Sequence, residues 1–157
     1  MKDYDINMNT LAIIPIDDNS TRIIEYDDEF VVKENSMRII DNSCKYFGSS
    51  YSGRLAGTKD MIGVNYKAPI VVEDSMSIIF FPISSPRLHE CLWISFKNIE
   101  SYFKVVDENK TIVKFCSGYS LKLPISHFSF SNQLLRASRL ENVLNLRKNR
   151  LEIKKKD

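Results

Sequence analysis

Apolar and polar positions alternate with a period of two along most of the chain, which is the signature of half-buried strands. The runs "NTLAIIPIDD" (9–18) and "STRIIEYDDEFVV" (20–32) flank the turn-forming cluster Asp17–Ser20 and predict a hairpin. "KAPIVVED" (67–74), "SMSIIFFPI" (75–83), "CLWISF" (91–96) and "IESYFKVV" (99–106) predict further strands. "KTIVKFC" and "YSLKLPIS" predict a hairpin closed by the two-residue loop Ser117-Gly118.

The pattern switches to a helical period in two places. Over "NSMRIIDNSCKYFG" (35–48), Ser36 is placed to cap a helix, Ile40, Cys44 and Phe47 share a face, and Gly48 is a stop. The following Ser50–Gly57 reads equally well as a loop or a short second helix. From about Ser129 a longer helix is predicted. At about 100° per residue, Phe130, Leu134, Ala137, Leu140, Leu144 and Leu151 share one face. Arg136, Arg139, Arg147, Arg150 and Lys154 fall within roughly 80° of one another on a second, interrupted by Val143. Asn142, Asn145 and Asn149 share a third. Strands first, one inserted helical segment and a closing amphipathic helix predict an α+β domain: a twisted antiparallel sheet or partly closed barrel capped by helices. A single domain over 1–147 with a short basic tail over 148–157 is expected.

Composition narrows the function classes. The chain has 157 residues, 43% hydrophobic and 27% charged, the balance of a globular protein with a core. The longest apolar run, Ile78–Ile83, is far too short to span a bilayer, and "MKDYDINMNT" carries no signal-peptide pattern. Three cysteines without a CxxC pair argue against a disulfide framework or a zinc site and for reduced thiols in a cytoplasm. The net charge of +2 conceals an uneven distribution. Residues 1–34 hold three basic and nine acidic side chains, net −6. Residues 38–67 hold five and two, net +3, and residues 134–157 hold eight and three, net +5. Two basic zones of this kind attract polyanions.

The stretch "FGSSYSGRLAGT" (47–58) has the glycine spacing of a phosphate-binding P-loop at Gly48 and Gly53. The positions after Gly53 are Arg54 and Leu55, however, and leucine offers magnesium no ligand. The preceding segment also reads as helix rather than strand, so a nucleotide pocket is rejected. Its hydroxyls (Ser49, Ser50, Tyr51), glycine N–H groups and cations (Lys45, Arg54, Lys59) still match the groups that hold a nucleic-acid backbone. The plainer alternative is that the glycines supply positive-φ turns. His89 and His127 stand in no catalytic spacing, Cys44 and Cys91 read as buried thiols, and Trp93 reads as a core anchor. No metal or cofactor motif is present, and an enzyme is not expected.

The run "IIDNSCKYFGSSYSGRLAGT" resembles the signature of the ComK competence transcription factors. The matching positions are Ser43, Cys44, Tyr46 to Tyr51, Gly53, Arg54 and Ala56 to Thr58. "APIVVED", "IFFPISSPRLHECLWIS" and "LKLPISHFSFSNQLLRASRL" resemble further family blocks in the same order, so the resemblance runs from about Leu11 to Leu140. It implies a cytoplasmic, nucleoid-associated activator of DNA-uptake genes with no enzymatic activity and no cofactor. It implies dimers, sometimes two per promoter, that bind A/T-rich boxes largely through the minor groove and work with RNA polymerase. It also implies control by an adaptor and a Clp protease. The final "LEIKKKD" lacks the aromatic docking element of longer members, which weakens that last expectation. The expected DNA-binding residues are Lys45, Ser49, Ser50, Tyr51, Arg54 and Lys59 in the first basic zone, with Arg136, Arg139 and Arg147 in the second. The runner-up is a pleckstrin-homology-like module whose basic zones meet anionic lipid or a protein partner.

Overall fold

The computed structural model describes residues 3–156, with side chains described as far as Leu151. Among these residues, nine strands and three helices form an α+β domain. Strands β1 (Thr10–Asp17), β2 (Ser20–Glu25) and β3 (Glu29–Val32) form an antiparallel meander. Helices α1 (Ser36–Tyr46) and α2 (Tyr51–Ile62) follow. A second hairpin, β4 (Ile70–Glu73) and β5 (Ile78–Pro82), leads to β6 (Trp93–Ser95). β6 pairs with both β5 and β1 and so joins the two halves into one six-stranded antiparallel sheet, ordered β3-β2-β1-β6-β5-β4. β7 (Ile99–Lys104), β8 (Thr111–Phe115) and β9 (Ser120–Leu123) form a separate three-stranded sheet. Helix α3 (His127–Lys156) closes the fold. The architecture is two open sheets rather than a closed barrel.

The larger sheet is buried on both faces, and the period-two pattern divides its side chains between them. Ile13, Ile23, Val32, Phe80 and Trp93 point to one face, where Ile39, Ile40 and Cys44 of α1 cover them. Ala12, Ile24, Phe81 and Ile94 point to the other, against Val113, Phe115 and Leu123 of the small sheet and Phe130, Ala137 and Leu140 of α3. Phe80 and Phe81 are adjacent yet lie in different cores, as strand alternation requires. At roughly 25 cal/mol per Å² of apolar surface, each such phenylalanine contributes about 2 kcal/mol of burial.

Local chemistry sets the helix ends. Asn35, not Ser36, caps α1: its side chain accepts from the N–H groups of Met37 and Arg38. Ser36 is the first helical residue, and its buried hydroxyl hydrogen-bonds Thr21 at 2.7 Å. Gly48, at φ 91, ends the helix as expected, with Gly48 N–H on the Lys45 carbonyl and Ser49 N–H on that of Cys44. The β8–β9 loop has three residues, Cys116 to Gly118, closed by Phe115 N–H on the Tyr119 carbonyl. Gly118 takes the left-handed position that such a loop needs, at φ 93. Ser126 caps α3, so that helix begins slightly before Ser129. The expected domain boundary at 147/148 falls inside α3. Lys154 of the expected basic stripe lies outside the residues whose side chains are described. No helix among the described residues is long and apolar enough to cross a membrane.

Candidate nucleic-acid interface

The stretch Phe47–Thr58 resolves into a tight turn followed by helix, so most of its glycines are not turn glycines. Ser50 caps α2 by accepting from Gly53 N–H at 2.9 Å. Gly53 sits where a Cβ would lie 2.7 Å from Ser49 Oγ and 3.2 Å from Ser50 Oγ, so close approach of the cap is what its small size serves. Gly57 lies inside α2, with only the Met61 side chain nearby.

The N-terminus of α2 is already occupied by a carboxylate. Asp41 of α1 accepts from the Tyr51 N–H at 2.9 Å and pairs with Lys45 at 3.0 Å. Those two contacts hold the Asp41 carboxyl below its usual range. The positive end of the helix dipole is thus satisfied from within the fold. Tyr51 packs edge-on against Trp93, ring centroids 5.9 Å apart, and burial raises its phenol pKa. Arg54 is half-buried, its Nε is shielded without a hydrogen-bond partner, and its charge acts on Cys44. Of the first expected group, then, Lys45 is ion-paired, Ser50 caps, and Tyr51 packs. Ser49 flanks Gly53, and Lys59 stands exposed on the last turn of α2.

The second group joins the end of α2. Arg147 pairs with Asp60 at 2.9 Å, and Arg136 Nη1 donates to the Tyr66 carbonyl at 3.0 Å. Arg139 lies on the same stripe of α3 and is exposed. The Arg147–Asp60 pair is largely solvated, so replacing Asp60 by an external phosphate costs little, about 1 kcal/mol or less. Arg147 and Arg136 thus meet the end of α2 and the loop after it, Arg139 shares their stripe of α3, Lys59 stands exposed on the last turn of α2, and Lys45 and Arg54 stay at the α1–α2 junction.

Two shallow cavities open beside the loop after α2, of about 410 Å³ and 350 Å³. Tyr66 and Lys67 line both. Arg136 lines the first and Arg87 the second, with serine and asparagine side chains between them. Neither is lined by an aspartate or glutamate among the described residues. Tyr66, Lys67 and Arg87 escape sequence reasoning because they lie in two loops distant in the chain, without periodicity. The only signal is a Tyr-Lys pair just after a helix-ending glycine. Two of the remaining candidates for chemistry are buried thiols: burial pushes the Cys44 pKa up to about 11 and raises that of Cys91 as well. No group of three His, Cys, Asp or Glu among the described residues is placed to hold a metal ion.

The site is thus an α+β domain's cation-bearing trough, with no aspartate or glutamate among its lining residues, beside a helix that carries an arginine stripe. Residues 1–149 match the family model described as ComK protein, and the chain belongs to the ComK family. It is 38% identical over 141 residues to a protein of Bacillus subtilis (strain 168) named competence transcription factor, covering 88% of this chain and 73% of that relative. No solved structure matches at a significant level.

Proposed function

We propose that this chain is a competence transcription factor that binds A/T-rich promoter DNA, largely through the minor groove, as a homodimer that engages RNA polymerase. The observation that carries this reading is membership of the ComK family, whose Bacillus subtilis relative is named for that role. The geometry supports it with cations on the last turn of α2 and on α3, at Lys59, Arg136, Arg139 and Arg147, and a second cationic position at Lys45 and Arg54. Narrow A·T minor grooves concentrate negative potential and draw in arginine, and they distinguish A·T from G·C with little further detail. Self-association has an available surface. Leu151 continues the face of α3 that buries Phe130, Ala137 and Leu140, yet it is 61% exposed.

The test is fluorescence anisotropy of two labelled duplexes of equal length, titrated at several salt concentrations. One carries paired A-run and T-run boxes and the other is G·C-rich. Tighter, cooperative binding to the A/T duplex is expected. Arg54→Ala is expected to weaken it, and neutralising Arg136 and Arg139 to flatten its salt dependence. Binding to anionic vesicles with none to either duplex would replace this reading with a lipid-facing module.

A further inference from the structure

We infer that the Tyr66–Lys67 ridge and the troughs on either side of it, with Arg87 and Arg136, form the cradle for a DNA sugar–phosphate strand. The inference rests on the DNA-binding reading and assigns the contact to residues outside the family-like signature stretch.

The ridge is built rather than incidental. α2 ends at Gly63, and the chain must turn within a few residues to enter β4. It does so with Lys67 in the left-handed region, at φ 49, which a non-glycine residue adopts only when its surroundings enforce it. Two donors from α3 enforce it. Gln133 Nε2 donates to the Lys67 carbonyl at 2.9 Å, and Arg136 Nη1 to the Tyr66 carbonyl at 3.0 Å. The same Gln133 nitrogen donates to the Pro82 carbonyl at 2.6 Å, fixing the end of β5 from which the Ser84–Arg87 segment departs. One buried amide therefore sets both loop walls.

What this scaffold displays is suited to a polyanion. Tyr66 is 65% exposed, with Lys67 Nζ 5.4 Å from its ring centroid. On the α3 side of the ridge, Ser126, Ser129 and Asn132 offer donors, and on the other side Ser85 and Arg87 do so. Lys59 lies one helical turn beyond Leu55, which lines the second trough, so it extends the cationic edge. Hydroxyls, amides, an aromatic ring and cations without carboxylates match the mixture that holds a DNA backbone. Two adjoining shallow troughs fit successive phosphates of one strand better than a single enclosed phosphate compound. Arg136 Nη1 donates to the Tyr66 carbonyl and to Gln133 Oε1, and the guanidinium retains further donors.

The experiment measures the dependence of duplex affinity on salt for the full chain and three variants, each first checked for an unchanged thermal transition. Lys67→Gln/Arg87→Gln is expected to flatten the slope of log K against log salt by about 0.9 for each phosphate no longer neutralised, close to 2 in all. Tyr66→Ala is expected to weaken binding several-fold with the slope kept, because the ring is uncharged. Lys33→Gln, which removes one exposed charge just past β3, is expected to leave the slope unchanged and so controls for net charge. If the full chain binds DNA and Lys67→Gln/Arg87→Gln keeps both affinity and slope, the cradle is overturned while the DNA-binding reading stands. If the full chain binds neither duplex, both fall together.

Discussion

The side-chain amide of Gln133, buried in α3, holds the backbone carbonyl of Lys67 at 2.9 Å, across 66 positions of sequence. This is the bond through which the C-terminal helix shapes the loop that follows α2. It is also one of two that the same nitrogen makes, the other reaching Pro82. Replacing Gln133 by alanine leaves both carbonyls without that donor and opens a small void. We expect Gln133→Ala to cost about 2–3 kcal/mol in urea unfolding. Faster amide exchange over residues 64–68 is expected at denaturant concentrations too low to unfold the domain.

The two helical glycines of α2 make a paired prediction. Gly57 has open space, the nearest atom to an added Cβ being the Met61 methyl at 3.8 Å. Gly57→Ala should therefore stabilise by about 0.5–1 kcal/mol through helix propensity alone. At Gly53 the same gain is opposed, because a Cβ would sit 2.7 Å from Ser49 Oγ and 3.2 Å from the capping Ser50 Oγ. Ser49 can rotate away, but the cap must shift, so we expect Gly53→Ala to change stability little. Urea midpoints of the two variants, measured side by side, check the difference.

The α+β class, most of the strands and the long closing helix are legible from period and turn chemistry, but the run Ser20–Val32, which reads as one arm of a hairpin, turns at Tyr26–Asp28 and splits into β2 and β3. Phe80 and Phe81 illustrate why: alternation alone sends them to opposite faces, whatever the partner layers are. What stays hidden is long-range. Nothing in "CLWISF" says that Trp93–Ser95 bridges the two halves of the large sheet, since pairing with both β1 and β5 is a tertiary property. The stretch with Gly53 and Gly57 reads equally as loop or helix because their helical role depends on a cap folded over one and open space beside the other. The candidate site divides the same way. The arginine stripe of α3 is visible by spacing, whereas Tyr66, Lys67 and Arg87 converge only after Gln133 has clamped their loops.

Acid should loosen the α1–α2 junction. Asp41 keeps a carboxyl pKa below its usual range because it accepts from Tyr51 N–H and pairs with Lys45. For a group with a depressed folded-state pKa, the stabilisation is present above the unfolded value, near 4, and is lost as pH falls through the folded one. Asp41→Asn keeps an acceptor for Tyr51 but does not titrate. Its stability deficit relative to the parent should be plain at pH 7 and shrink as the pH falls below about 4, where an ordinary carboxyl begins to protonate. Asp41→Ala, which loses the acceptor as well, should cost about 1 kcal/mol at neutral pH. Urea titrations across that pH range test both.

The three cysteines should separate cleanly by reactivity. Cys44 sits in the α1-side core with its thiol pKa pushed up to about 11 by burial, against which the Arg54 charge is a smaller opposing influence. Cys91 is buried in the same core as Trp93, and burial raises its pKa as well. Cys116 stands exposed in the β8–β9 loop. Because the thiolate is the reacting species, raising a thiol's pKa suppresses it and burial blocks the reagent, so the two effects act in the same direction. At pH 8 a chromogenic disulfide reagent should therefore titrate Cys116 rapidly in the native protein. Cys44 and Cys91 should follow only at the rate of global opening, and at once in denaturant. Adding the A/T duplex should slow the two buried thiols by the stabilisation that binding confers. The Cys116 rate should stay unchanged, since that loop lies at the opposite end of β8 and β9 from Asn109 and Pro124, which line the proposed cradle. Protection of Cys116 by DNA would place the strand on the small sheet's far end instead.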